Sequence, residues 1–133
     1  MTRHRDWQSR LQACLAERCP QEFEWGKQDC CLFVCDCVLA MTGRDPAADL
    51  RGYVDELGAA RIVKKNGGIR AIATARLGAE IAPLLASVGD VGLVETAGRE
   101  SLALCAGGHW LAPGPYDVEC LPLEAAITAW RCE

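Results

Sequence analysis

Phe23-Glu-Trp-Gly-Lys-Gln-Asp29-Cys30-Cys31-Leu-Phe-Val-Cys35-Asp-Cys37-Val-Leu-Ala-Met41 divides into two halves with different physics. Residues 23–29 have no apolar period and contain Gly26, so they read as a loop. Asp29 can accept hydrogen bonds from the free N–H groups of a first helical turn, which makes it the N-cap of a helix beginning at Cys30. From Cys30 to about Met41 the side chains are apolar nearly all round, the signature of a helix buried on every side. Gly43 and Pro46 end it.

Outward from this helix the chain changes character twice. On the N-terminal side, Trp7, Leu11, Cys14 and Leu15 form a helical stripe that Pro20 stops, so an amphipathic helix is expected over Trp7–Cys19. On the C-terminal side, residues 47–77 are helix-biased but interrupted at Gly52, Gly58 and Gly67-Gly68, which predicts two or three short helices. Lys64-Lys65-Asn66-Gly67-Gly68 lacks the spacing of a phosphate-binding loop and reads as a solvated helix end with a Gly cap. After Pro83 come short apolar runs separated by Gly-bearing turns: Gly89–Glu95, Ser101–Ala106, His109–Ala112 and a last run near Asp117–Leu121. Pro122 then leads into a short helix over Leu123–Ala129. Helices first and strands afterwards predict an α+β fold, with N-terminal helices and a buried Cys-bearing central helix on a small antiparallel sheet. With 133 residues and no repeats or linkers, one domain over residues 1–133 is expected.

Composition narrows the function. Fourteen basic residues against eighteen acidic give a net charge of −4, which argues against a nucleic-acid partner, since such binding rests on neutralising phosphates. No membrane span is expected, because the apolar run Leu32–Met41 is too short and contains Asp36. The start Met-Thr-Arg-His-Arg-Asp lacks the apolar run of a secretory signal, so a cytoplasmic protein with reduced thiols is expected. There are nine cysteines, four of them in Cys30–Cys37. Three readings of that cluster stand. In the first, Cys31 and Cys35, one turn apart, join distant Cys14 or Cys120 in a metal or iron–sulfur site, although no Cys-x-x-Cys pair is present. In the second, one cysteine is a catalytic thiol. In the third, most of them fill a helix interface as small hydrophobes. One nucleophile-like position among packing cysteines is the preferred combination, with no cofactor. The four tryptophans read as core and interface anchors.

Cys30 is the nucleophile-like position, because free N–H groups and the helix dipole at a first turn favour thiolate over thiol. The string Phe23-Glu-Trp-Gly-Lys-Gln-Asp29-Cys30 resembles the nucleophile region of the NlpC-like cysteine peptidases, papain-fold enzymes that cut cell-wall peptides. Gly89-Asp90-Val-Gly-Leu-Val looks like that family's Gly-Asp motif at the first strand of its sheet. Strands ending in Gly107-Gly108 and Ala112-Pro113-Gly114 come next, in the family's order, and the likeness covers residues 23–121. The string Trp25-Gly-x-x-Asp29-Cys30, the small size and the ending Ala129-Trp130-Arg131 look more narrowly like short phage- and prophage-encoded relatives. This resemblance implies a papain-like fold, with Cys30 as nucleophile. It also implies a place among tail-tip and baseplate proteins, with hub and distal tail proteins as partners. Localisation would then be the host cytoplasm during assembly and the virion tail afterwards.

The resemblance has gaps where catalysis needs a base. A papain-type thiol requires an imidazole within hydrogen-bond reach, oriented by a third polar group. Counted back from Gly107, the family's His position falls on or near Ser101, and the third position falls on Leu111. His4 lies in a charged terminal stretch expected to be mobile, which leaves His109, two residues before Leu111 and so on the same strand face. The preferred expectation is a tail component with a degenerate peptidase site. The alternatives are a peptidase or amidase acting on peptidoglycan peptides, with Cys30 as nucleophile, His109 as base and Asp29 in support, and a metal-bearing structural protein. Asp29 and Asp90 otherwise read as a cap and a turn residue.

Overall fold

The computed structural model describes residues 2–96 and 98–133. Four helices come first: α1 (Trp7–Arg18), α2 (Cys30–Thr42), α3 (Glu56–Lys65) and α4 (Ile69–Leu77). Six strands come after them: β1 (Glu80–Ile81), β2 (Val91–Thr96), β3 (Arg99–Cys105), β4 (His109–Pro113), β5 (Val118–Pro122) and β6 (Ala126–Trp130). They form one sheet in the order β1-β6-β2-β3-β4-β5, antiparallel at every pairing. The protein is α+β, as its sequence predicts.

Helix α2 is buried as its all-round apolar pattern requires. Phe33, Val34, Cys37, Val38 and Met41 meet Leu102, Leu104, Leu111 and Trp130 from the sheet. Leu32 and Cys35, on the other side, meet Ala47, Leu50 and Ile72. Each large side chain so removed from water contributes about 1.5–3 kcal/mol. The far face of the sheet has its own cluster around Trp110, whose ring lies where a Cβ at Gly92 would stand, 2.6 Å from the nearest ring carbon. A side chain at Gly92 would therefore evict Trp110.

Three expectations need correction. Leu123–Ala129 is not a helix: only Leu123–Ala125 makes a 3-10 turn, and residues 126–130 form β6, seated between β1 and β2. Pairing on both sides outweighs the weak helical preference of Leu-Glu-Ala-Ala. Gly58 interrupts nothing, because it lies inside α3, where its N–H donates to the N-cap carboxylate of Asp55 at 2.8 Å. The N-terminal stretch is docked rather than free: the His4 N–H donates to the Met41 carbonyl at 2.8 Å, and the Arg3 guanidinium stacks 4.1 Å over the Trp7 ring.

Among the described residues, no helix is long and apolar enough to cross a membrane.

Candidate functional site

The loop before α2 brings the chain to Cys30 under tight control. Gly26 has φ +83°, and a Cβ there would collide with the Tyr53 carbonyl oxygen, so glycine is required both for its backbone angle and for the close passage of residue 53. Phe23 and Trp25 meet edge to face at 4.8 Å. Arg18, from α1, holds the loop from beneath: it donates to the Lys27 carbonyl at 2.7 Å and the Gln28 side-chain oxygen at 2.6 Å, and it pairs with Asp36. Asp36 is thereby neutralised on an otherwise apolar helix, with Arg51 as a second partner.

Asp29 caps α2. One carboxylate oxygen accepts the Leu32 N–H at 2.9 Å; the other accepts the Gly26 N–H at 2.9 Å and the Tyr53 hydroxyl at 2.6 Å. Burial, together with this hydrogen bond to a carboxylate, pushes the Tyr53 phenol well above its usual range. Cys30 is the first residue of α2, at the floor of a cleft of about 810 Å³ lined by Phe23, Trp25, Tyr53, Ser101 and Glu119 among others.

Cys30 is not the activated thiol that its helix position suggests. Burial pushes it up from about 9 to about 11, with the charges of Cys31 and Asp29 adding to the rise and the Leu102 backbone and Ser101 hydroxyl offsetting part of it. That rise corresponds to roughly 3 kcal/mol at 1.36 kcal/mol per tenfold. A helix terminus supplies about 0.3–1 kcal/mol in the opposite sense, so burial wins. The contact with Ser101 places β3's outer end beside the thiol, at the position where the peptidase resemblance puts its imidazole.

The Cys30–His109 dyad does not form. His109 begins β4 beyond Trp110, which faces Cys105 at the far end of β3 from Ser101. Cys105 is four positions along β3 from Ser101, roughly 13 Å of strand, and His109 is absent from the cleft wall. Sharing a face with Leu111, which packs under α2, does not bring His109 nearer, because the separation runs along the strand. His4 is no nearer: its ring lies against Gly43, at the opposite end of a 13-residue helix. No imidazole or other near-neutral base among the described residues reaches Cys30.

The metal reading meets a similar separation. Cys31 adjoins Cys35 within α2, whereas Cys14 adjoins Cys37 across the α1–α2 contact and Cys120 is exposed on β5. Among the described residues, no three His, Cys, Asp or Glu side chains converge to hold a metal ion. Cys31 and Cys35 contact each other, which lowers the first thiol and, with burial, raises the second.

Tyr53 is a site residue that the sequence does not point to. It sits in an irregular stretch 24 residues after Asp29, and no spacing rule connects them. The available signal is indirect, since a buried carboxylate has more acceptor capacity than one cap N–H uses.

These features define a small α+β protein in which the first thiol of an aspartate-capped helix lines a cleft that contains no imidazole among the described residues. Residues 2–132 match the family described as a domain of unknown function, DUF6950, and the chain belongs to that family. No curated protein matches it.

Proposed function

We propose that this chain is a papain-like domain of NlpC type that has lost peptidase chemistry and serves as a structural or assembly component of a phage tail tip or baseplate. The observation that carries the loss of chemistry is the isolation of Cys30 from both histidines. The papain-like reading is supported by the Cys-bearing helix set on an antiparallel sheet, with its first residue against β3 and Gly89-Asp90 at the entry to β2. The tail setting rests on the Trp25-Gly-x-x-Asp29-Cys30 string and the Ala129-Trp130-Arg131 ending. Hub and distal tail proteins are the proposed partners, met in the host cytoplasm and retained in the virion.

Thiol kinetics and genetics test this together. With a Cys30 pKa of about 11, about one molecule in ten thousand carries the thiolate at pH 7. Alkylation of Cys30 by iodoacetamide should be slow there and rise about tenfold per pH unit until it levels near pH 11. In a phage carrying the gene, Cys30→Ala should still build infectious tails, whereas deletion of the gene should stop assembly. Fast alkylation near neutrality, with cleavage of a cell-wall peptide that Cys30→Ala abolishes, would establish the peptidase instead.

A further inference from the structure

The cleft and its thiol leave the cysteines of the α1–α2 contact without a role. Cys14 Sγ lies 3.9 Å from Cys37 Sγ, across two helices and 23 residues of sequence. Cys37 is fully buried in the main core, whereas Cys14 is half-buried and packs at its edge. Cys14 is therefore the more exposed of the two residues. A disulfide is about 2.05 Å long, so closing the pair requires the sulfurs to approach by roughly 2 Å, a displacement on the scale of side-chain rotation. Arg18 stands one turn after Cys14 on α1, and its positive charge favours a Cys14 thiolate.

We propose that Cys14 and Cys37 form a dithiol that hydrogen peroxide oxidises to a disulfide, tying α1 to α2. The Cys14 thiolate attacks one peroxide oxygen, the O–O bond breaks, and hydroxide leaves and takes up the thiol's released proton as water. Cys14 is then a sulfenic acid. The Cys37 thiol attacks the Cys14 sulfur, the S–S bond forms, the S–O bond breaks, and the hydroxyl leaves with the Cys37 proton as a second water. Two thiols lose two electrons in all, and one peroxide gains them. The contact with Cys37 and the Arg18 charge lower the Cys14 thiol against its burial and the charges of Asp36 and Glu17, while the same contact and burial raise Cys37. The assignment of attacking and resolving sulfur follows the same order as their exposure. Because Arg18 also grips Lys27 and Gln28, the disulfide would fix α1 beneath the loop that carries Trp25 and Asp29.

The test uses the full reduced chain, treated with excess hydrogen peroxide, denatured, blocked with iodoacetamide and digested without reductant for mass spectrometry. The expected product is a Cys14–Cys37 linked peptide that dithiothreitol releases. Cys14→Ser should remove it and leave Cys37 alkylated. Cys37→Ala, if folded by circular dichroism, should leave Cys14 as a sulfenic acid that dimedone labels, and absence of that label in a folded variant counts against the proposal. Recovery of Cys14 and Cys37 in the wild-type chain as separate alkylated thiols overturns the proposal. So does pairing of either with another cysteine, such as Cys19 or Cys35, or Cys14 recovered unlinked as a sulfinic or sulfonic acid.

Discussion

Asp29 and Asp90 are both 1% exposed, and both stand at the end of a loop leading into a major element, α2 in one case and β2 in the other. Their partners differ in reach. Asp29 takes the N–H groups of Gly26 and Leu32, three residues away on either side, and the hydroxyl of Tyr53. Asp90 takes the Ser87 N–H at 2.9 Å, the Cys132 N–H at 2.9 Å and the Arg3 guanidinium at 3.2 Å, joining both ends of the chain to β2. The first aspartate shapes a local entry and sets the surroundings of a thiol, while the second is a long-range knot that stabilises the whole. Of the two, Asp90 is the one paired with a cation among the described residues, and that pair is nearly buried, with the Arg3 side chain 16% exposed. A motif that reads as an aspartate after a loop thus covers two separate physical roles, distinguished by partners far away in sequence.

The largest expected effect is at the knot. Asp90→Ala would strip the Cys132 and Ser87 N–H groups of their acceptor and leave Arg3 uncompensated. Breaking a buried pair from one side costs about 3–5 kcal/mol. Urea denaturation should show a loss of that order, with Arg3→Ala costing less because it leaves both N–H contacts to Asp90 in place. A loss at Asp90→Ala no greater than at Arg3→Ala would mean that the Ser87 and Cys132 N–H contacts add nothing to the ion pair.

The next effect belongs to Asp29. Asp29→Ala removes an N-cap, about 0.5–2 kcal/mol, and orphans the Tyr53 hydroxyl, so a total of about 2–3 kcal/mol is expected. Asp29→Asn should recover most of the cap. Both changes also remove a negative charge that raises the Cys30 thiol, so the Cys30 pKa should fall and alkylation at fixed pH should quicken in each. Asp90→Ala should leave that rate unchanged if the variant remains folded. If Asp29→Asn left the Cys30 rate unaltered, the division of labour between the two aspartates would fail.

The parts of this molecule that the sequence makes legible are those controlled by neighbours in the chain. Helix α2 and its Asp29 cap, the stripe of α1, and the strands β2 to β5 all follow from periodicity and capping within a few residues. The illegible parts depend on contacts made at a distance. The Ala126–Trp130 segment is a strand because β1 and β2 leave a gap that it fills. In the site, Cys30 stands out through its helix position, and the count back from Gly107 arrives at the strand residue that touches it, Ser101. His109 is reached only by elimination, and face parity does not measure distance along a strand. The direction of the Cys30 pKa is hidden for a related reason: the dipole is visible in the sequence, but the depth of the cleft is not.

Tyr53→Phe is the finest probe of the contrast between the aspartates, because it deletes one hydroxyl and nothing else. Asp29 keeps both N–H partners after the change, so no buried donor is orphaned, and the carboxylate retains most of its solvation by the protein. A hydrogen bond to a charged acceptor contributes about 1.5–3 kcal/mol at most, and the half-buried, cleft-facing position of Tyr53 lets water replace part of it. A loss of about 1 kcal/mol is expected in urea denaturation. The double variant with Asp29→Asn should lose less than the sum of the two single changes, by an interaction energy of about 0.5–1 kcal/mol. The same cycle between Tyr53→Phe and Arg3→Ala should give additive losses, since the two sites share no partner. Additivity in the first cycle would mean that the 2.6 Å contact between Tyr53 and Asp29 contributes nothing, and that the cap and loop alone hold Cys30 in its place.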